Sequence, residues 1–288
     1  MEWTEWLVAL VPMLSFGLIP VIGTLIGGKP VEQSMGIALG GLLFSLAVVL
    51  IARPEITLRI FVVGFLSGAC WAVGSIGQFA GIRRLGVARA TPMLNGGQII
   101  GTALVGMALG DWASQAAREY GLSALGLIIA GILCTSYTQR SNTQKPRWAK
   151  GIAINVIAAA GFTAYVGILK YYDIASRSAV LPQSLGQIVA IFLFGTLLMK
   201  TRTFSGKTLR NGTIGIIWGV GNLALLISGA RLGLAVAYPV SQAAALVSVV
   251  GGVIINRETK TRREWVVTAL GFAAILGGLY LLYLSEIH

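Results

Sequence analysis

The sequence predicts an all-α membrane protein with ten transmembrane helices in two inverted repeats of five. Three observations lead to this fold class. Hydrophobic residues make up 56% of the 288-residue chain and charged residues 11%, with a mean hydropathy of +0.80, whereas soluble domains carry about 25% charged residues. Apolar runs near the length of a membrane span, about 20 residues, recur along the chain. A shift of 147 residues aligns one half of the sequence with the other.

The apolar runs follow one another with short gaps, which leave almost no room for a soluble domain. In chain order, we expect helices over residues 6–28, 33–52, 61–83, 87–109, 122–138, 149–169, 182–199, 212–230, 234–255 and 265–284. The segment before the first run, MEWTE, contains no Lys or Arg. This start argues against a cleaved signal peptide, which begins with a positively charged region.

An internal repeat divides the chain into residues 1–139 and 149–288, joined by a basic linker at 140–148. The segment WAVGSIGQFAGIRRLGVARATP at 71–92 aligns with WGVGNLALLISGARLGLAVAYP at 218–239, with nine identities in 22 positions. Because each half holds an odd number of helices, the second half must enter the membrane in the opposite sense. Inverted repeats are typical of secondary transporters, which bind substrate near the midplane between the halves. A duplicated bundle without transport activity is the alternative.

The basic residues are distributed unevenly between alternate loops. One set of loops carries 16 of the 22 Lys and Arg residues, and the other set carries 6. Since cytoplasmic loops are rich in Lys and Arg, the basic side should face the cytoplasm. Both termini should then lie outside the cytoplasm in a multi-pass inner-membrane protein. The same rule explains the net charge of +12. Binding to nucleic acid is not needed to explain it, and the chain has no basic arm or aromatic-basic module that would bind nucleic acid.

Polar residues follow single faces of the third and fourth expected helices, because positions i, i+4 and i+7 share a helix face. These residues are Trp71, Ser75 and Gln78 in the third helix and Thr91, Asn95, Gln98 and Thr102 in the fourth. The corresponding residues of the second half are Trp218, Asn222, Tyr238 and Gln242. Polar side chains that face lipid are costly. We therefore expect these four faces to point into the protein or into a wet cavity.

Two interpretations of these polar faces remain open. Asn and Gln side chains can bridge membrane helices, which contributes ~0.6 kcal/mol on average. Four such faces on corresponding helices favour a cavity instead. Amides donate and accept hydrogen bonds, and Trp offers an apolar face, so a neutral ligand rich in hydroxyl groups would fit. The expected substrate-binding residues are Trp71, Ser75, Gln78, Asn95, Gln98, Trp218, Asn222, Ser241 and Gln242.

Glycine and proline mark places where helices approach or bend. Small residues at four-residue spacing let helices pack closely, and they occur in GQFAG, GGQIIG, GMALG and GIIWG. Pro92 and its repeat equivalent Pro239 lie about one turn into their helices. Each frees a backbone carbonyl and permits a bend, so each is either a hinge or a tolerated kink.

The reactive residues exclude most enzyme and metal chemistry. Cys70 and Cys134 fall inside apolar runs, where a lone Cys usually acts as a small hydrophobic residue. The only His is His288, so zinc, haem and Ser-His-Asp sites lack their parts. We expect no catalytic site, no metal and no other cofactor.

At the polar faces the chain resembles a known family. The segment WAVGSIGQFAGIRRLGVARATPMLNGGQIIGTALVGMALGDW at 71–112 resembles the motif region of the bacterial glucose/ribose uptake porters, the GRP sugar transporter family. That motif has a Trp, a Gly and a Gln before G-V-(small)-basic-x-x-P, then a Gln, and ends in G-(acidic)-W. The segment GNLALLISGARLGLAVAYPVSQAAALVSVVGG at 221–252 is similar to the family's second motif. The resemblance implies the drug/metabolite transporter fold, with ten helices in two inverted halves.

The resemblance implies import of a monosaccharide such as glucose or ribose by alternating access. The sequence departs from the family near Leu94 and Asn95, where the family usually has Ser or Thr, and in AYPVSQ, where it usually has Phe-x-Leu-Ser-Gln. These departures leave the sugar open. An exporter of amino acids or other small metabolites is the alternative within transport. A non-transporting receptor or assembly subunit in the bilayer is the alternative from another class.

Charged residues near the membrane are candidates for gating or proton coupling. Arg89 stands where the family tends to have a basic residue, which favours a functional charge at a gate or at the binding site. The alternative is a long side chain that only snorkels to the membrane interface. Proton coupling needs a titratable group that both sides of the membrane can reach, yet none of the ten acidic residues lies near the middle of an expected helix. Only Asp111 and Asp173 stand where they could reach a cavity mouth. We expect facilitated diffusion, or weak coupling through these two residues.

Overall fold

A computed structural model describes residues 3–109, 114–135, 137, 145–232, 241 and 244–287. These residues form helices and connecting turns and no strands, so the prediction of an all-α fold is confirmed for them. The helices of the described residues are α1 (Trp3–Ile26), α2 (Pro30–Ala52), α3 (Leu58–Leu85), α4 (Val87–Ala108), α5 (Gln115–Thr135), α6 (Lys145–Tyr171), α7 (Ser176–Leu193), α8 (Gly206–Leu232), α9 (Ala244–Ile254) and α10 (Arg262–Ile287). A π-helical turn, Phe194–Leu198, directly follows α7.

Most helices are longer than the apolar runs that predict them. α5 begins at Gln115 and α7 at Ser176, ahead of the expected starts at 122 and 182. α6 begins at Lys145, inside the segment 140–148 that the sequence analysis assigns to a linker. Hydropathy marks only the lipid-facing middle of a helix, whereas backbone hydrogen bonding continues into its polar ends. Pro146 does not prevent the early start of α6, because proline is well suited to the first turn of a helix.

The chain is a multi-pass membrane protein. In the described residues, six helices are long and apolar enough to span a bilayer, over Pro30–Ala52, Leu58–Leu85, Arg118–Thr135, Trp148–Tyr171, Arg177–Leu198 and Arg262–Leu281. Large apolar side chains such as Leu50, Ile51 and Leu209 are mostly exposed on the outside, as a lipid-facing surface requires. α4 and α8, which carry predicted polar faces, are not among the six.

The first five helices and the last five are interleaved. Within the described residues, the most extensive helix contacts all join one of α1–α5 to one of α6–α10. Several contacts also come in matched pairs: α3 packs on α6 and α8 on α1, α2 on α8 and α7 on α3, and α4 on α6 and α9 on α1. Helices five positions apart in the chain therefore have corresponding neighbours.

The loop before α10 holds the start of α4. The Glu258 carboxylate accepts hydrogen bonds from the backbone nitrogens of Val87 (2.5 Å) and Ala88 (2.9 Å). These are the first two residues of α4, where N–H groups lack partners in their own helix and the helix dipole attracts negative charge. Gly86 precedes them with φ of +81°, and a Cβ there would lie about 3 Å from the same carboxylate. A carboxylate of the second half thus caps a helix of the first.

Candidate functional site

A cavity of about 210 Å³ lies among α1, α2, α3, α4, α6, α8 and α9. Its polar and aromatic lining residues among the described ones are Phe16, Trp71, Ser75, Gln78, Thr91, Asn95, Gln98, Phe162, Tyr165, Trp218, Asn222 and Ser241. Aliphatic lining comes from Ile19, Ile37, Leu94, Val166, Leu225 and Ala244. The volume is below the range of roughly 300–1,000 Å³ for drug-sized ligands, so the cavity suits a small solute.

Two tryptophans from corresponding helices meet at this cavity. The Trp71 ring of α3 and the Trp218 ring of α8 have centroids 6.1 Å apart and an interplanar angle of 64°. The Phe162 ring of α6 contacts Trp71 from another side, also with centroids 6.1 Å apart. Edge-to-face contacts of this kind hold aromatic rings in fixed orientations. The cavity therefore has an aromatic wall to which both halves contribute.

Glycines allow the rings of α1 and α6 to reach this wall. A Cβ at Gly74 of α3 would lie 2.7–2.9 Å from the Phe162 ring, and a Cβ at Gly221 of α8 would lie 2.8 Å from the Phe16 ring. Gly74 and Gly221 are aligned in the internal repeat. Any larger residue at either position would displace an aromatic ring that lines the cavity.

Several polar groups at the cavity have unused hydrogen-bonding capacity. Thr91 is 3% exposed, and its hydroxyl has no hydrogen-bond partner among the described residues. The buried amide nitrogen of Asn222 also has no hydrogen-bond partner among them. Ser75 donates to Ser34 of α2 (2.8 Å), which fixes its orientation. Buried polar groups are normally paired. Thr91 and Asn222 both line the cavity, so they bring hydrogen-bonding groups without a protein partner close to it.

The cavity lining is uncharged. The described lining residues include no Asp, Glu, Lys, Arg or His, and their polar groups are amides, hydroxyls and indole N–H groups. These groups donate and accept hydrogen bonds without preferring a charge, and the aromatic faces pack against C–H groups. Chemically, this arrangement can bind a small neutral solute that combines hydroxyl groups with apolar faces.

Eight of the nine residues predicted to bind substrate line this one cavity: Trp71, Ser75, Gln78, Asn95, Gln98, Trp218, Asn222 and Ser241. Gln242 lies outside the described residues. Thr102, which continues the polar face of α4, is not a lining residue. Its hydroxyl instead donates to the carbonyls of Gln98 (2.9 Å) and Ile99 (3.0 Å) in its own helix.

The described gating and hinge candidates, Arg89, Asp173 and Pro92, are not among the lining residues of the cavity. The guanidinium of Arg89 stands 6.0 Å from the ring centroid of Trp148, away from the cavity lining. It also acts on Lys260: burial lowers the pKa of that amine, and the positive charge of Arg89 lowers it further. Asp173 is exposed in the turn after α6. Pro92 is buried inside α4, whereas Asp111 and Pro239 lie outside the described residues.

Sequence reasoning missed the contributions of α1 and α6. Phe16, Phe162 and Tyr165 line the cavity, yet each stands in an apolar run that lacks a polar face. An aromatic residue in such a run is as easily explained by lipid contact. The available signal was indirect, since Gly74 and Gly221 are aligned in the repeat and each leaves room for one of these rings.

Comparison with known proteins identifies a family. Residues 7–284 match the family described as sugar transport protein. The chain is 35% identical over 273 residues to a candidate sugar uptake protein of Listeria monocytogenes, covering 94% of this chain and 95% of that protein. It is 32% identical over 286 residues to the glucose uptake protein GlcU of Bacillus subtilis, covering 98% and 99%. A solved crystal structure shares the fold, with a TM-score of 0.61 over 100% of both chains at 12% identity.

Proposed function

The chain belongs to the sugar transport protein family, and on that premise we propose that it is a secondary transporter that imports a monosaccharide by alternating access. Family membership makes it a sugar transport protein and not an enzyme. The single observation that carries the finer proposal is the uncharged cavity, which is lined by amide and hydroxyl side chains and by the Trp71 and Trp218 rings. The relative from Bacillus subtilis is named for glucose uptake, which makes glucose the first sugar to test.

The cavity chemistry supports a neutral sugar over a charged metabolite. A free amino acid or an organic anion would bring at least one full charge into the membrane interior, where an unpaired charge is costly. None of the described lining residues supplies a counter-charge. A monosaccharide offers hydroxyl groups for Gln78, Asn95, Gln98 and Asn222, together with C–H faces for the aromatic wall.

The matched helix contacts support two inverted repeats. The comparison pairs each of α1–α5 with the helix five positions later in the chain. When the two helices of every pair are exchanged, the contact of α3 with α6 becomes that of α8 with α1. In the same way, the contact of α2 with α8 becomes that of α7 with α3. Both repeats supply a Trp and a Gly-to-Phe contact at the cavity. Two such halves can adopt equivalent arrangements in which the same cavity opens first to one side and then to the other.

A flux assay tests the proposal directly. Purified protein is reconstituted into liposomes, and uptake of radiolabelled glucose and ribose is followed against protein-free liposomes and labelled alanine. Saturable sugar uptake, competed by unlabelled sugar and accompanied by counterflow from preloaded vesicles, is the expected result. Saturable alanine flux without sugar flux would identify the metabolite exporter instead. Sugar binding without flux would identify a receptor.

A further inference from the structure

A second cavity, of about 620 Å³, opens at one end of the helices and shares no lining residue with the first. We refer to it as the basic cavity. It lies between the starts of α2 and α8 and the end of α3, and its described lining residues are Gly28, Lys29, Glu32, Arg83, Ser205, Gly206, Lys207 and Arg210. All four of its cations belong to the loops that carry 16 of the 22 basic residues.

The charges of the basic cavity do not cancel. Its lining holds four cations and one carboxylate. That carboxylate, Glu32, is 9% exposed and accepts a hydrogen bond from the backbone nitrogen of Lys29 (2.6 Å), so it is occupied at the start of its own helix. The Lys29 amine donates to the Thr201 hydroxyl (2.8 Å), which is a neutral partner. A net charge of about three positive units therefore faces the cavity.

Three of the cations are available to a ligand. Arg83, Lys207 and Arg210 are exposed, and within the described part of the chain no carboxylate lies close enough to any of them to form an ion pair. Two come from the first turns of α8 and the third from the last turn of α3. All three line the same cavity, so an anion bound there would meet positive charges from two helices.

The backbone leaves room for that anion at the start of α8. A Cβ at Gly206, the first residue of α8, would meet no heavy atom within 4 Å. Across the cavity, Gly28 has φ of +110°, and a Cβ there would lie 3.2 Å from the Glu32 carboxylate and 3.5 Å from the Lys207 side chain. Only a glycine at position 28 keeps this wall unstrained. The Lys207 side chain thus lies against Gly28, whereas the space beside Gly206 is open.

We propose that the basic cavity binds a phosphate group, carried either by an anionic lipid headgroup or by a free phosphate ion. Phosphate matches the site because arginine forks bind its oxygens in pairs and lysine adds a point charge. Basic cavities between membrane helices at the cytoplasmic surface bind anionic headgroups in this way. The site lies apart from the sugar cavity, so its occupancy does not depend on the proposed transport activity.

Thermal unfolding of the full chain in neutral detergent tests the proposal. The probes are short-chain phosphatidylglycerol against phosphatidylcholine, and inorganic phosphate against sodium chloride at equal ionic strength. A phosphate-bearing probe should raise the unfolding midpoint of the wild-type chain, and its control should not. In the double variant Lys207→Gln/Arg210→Gln, the apparent affinity should fall roughly thirtyfold, given the contribution of each basic residue at an anionic surface.

The matched control is Arg53→Gln/Arg177→Gln, which removes two exposed charges from the opposite, less basic loops. It should bind like the wild type. Arg83→Gln gives a second, independent variant if the double variant does not fold, and it should weaken binding in the same direction. A response to phosphatidylglycerol alone identifies a lipid site, and a response to inorganic phosphate identifies an ion site. If neither probe raises the midpoint, or if control and cavity variants weaken equally, the proposal is wrong.

Discussion

The ring of Trp71 meets the ring of Trp218 edge to face, with centroids 6.1 Å apart. One belongs to α3 and the other to α8, and the internal repeat aligns them with each other. Two residues at equivalent positions of the sequence repeat thus contact each other directly. This contact joins the halves where we expect the sugar to bind.

Replacing either tryptophan should therefore impair sugar binding. Trp71→Ala and Trp218→Ala remove the aromatic face, and we expect each to raise the apparent Kd for sugar about fivefold, since an aromatic contact contributes about 1 kcal/mol beyond its buried area. Trp71→Phe and Trp218→Phe should retain much of the affinity. Tryptophan fluorescence on sugar titration provides the measurement, and equal affinities for the Ala and Phe variants would contradict a stacking role.

The amides of α4 should contribute hydrogen bonds to the sugar. Asn95→Ala and Gln98→Ala should each lower apparent affinity roughly ten- to a hundredfold, because loss of a buried hydrogen bond costs ~1–3 kcal/mol. Thr102→Ala is the matched control, since its hydroxyl already bonds to its own helix. Concentration-dependent uptake measures the effect. Normal affinity in both amide variants would mean that the polar face of α4 only packs.

The Glu258 cap should stabilise the fold. Glu258→Gln loses the charge at the start of α4 and Glu258→Ala loses both hydrogen bonds, so we expect the free energy of unfolding to fall by about 1 kcal/mol and 2 kcal/mol respectively. Denaturant unfolding in detergent measures the difference. Glu55→Gln, a charge loss in the exposed loop before α3, should leave stability unchanged. If Glu258→Ala is as stable as the wild type, the contact contributes nothing.

The distribution of basic residues predicts that both termini lie outside the cytoplasm. Alkaline phosphatase fused to the C-terminus should then be active, whereas a fluorescent protein that matures only in the cytoplasm should remain dark. A fusion after α5, on the opposite side of the membrane, should give the reverse result. An active phosphatase at that internal position would overturn the assignment.

Transport should be facilitated diffusion or only weakly coupled to protons. The described cavity lining contains no carboxylate or imidazole, and Asp173 is exposed in a turn. We expect sugar in liposomes to approach the external concentration with or without an inward proton gradient. Accumulation well above that level, abolished by a protonophore and kept in Asp111→Asn and Asp173→Asn, would place the coupling group elsewhere.

Sequence reasoning located the cavity residues that carry a polar marker. Gln78, Asn95 and Asn222 stand out because amides are rare in apolar runs, and helical spacing places them on one face. Phe16 and Tyr165 carried no such marker, because hydropathy cannot separate an aromatic residue that faces a cavity from one that faces lipid. The Glu258 cap was equally hidden, since it joins segments that are 170 residues apart in the chain.

The starts of the helices were predicted less well than their middles. The apolar run of α5 begins at 122, yet the helix begins at Gln115, because the membrane selects for hydropathy only within its hydrocarbon core. Helical spacing also has a limit, because it does not show which hydrogen bonds a side chain makes, as Thr102 illustrates. Its spacing places Thr102 on the polar face of α4, which we expected to point into the protein or into a cavity, and its hydroxyl bonds to carbonyls one turn earlier, as Thr commonly does inside helices.

The interleaving of α1–α5 with α6–α10 imposes an order on biosynthesis. A ribosome delivers the first five helices to the membrane before their main packing partners exist, so α2 and α3 must wait for α7 and α8. During that interval, the polar face of α4 lacks the Phe162 and Trp218 rings, which α6 and α8 add later. Assembly is thus completed only when the last helices have been inserted. In a nascent chain stalled after α5, the first five helices lack most of their packing partners and are exposed to the cell's quality control.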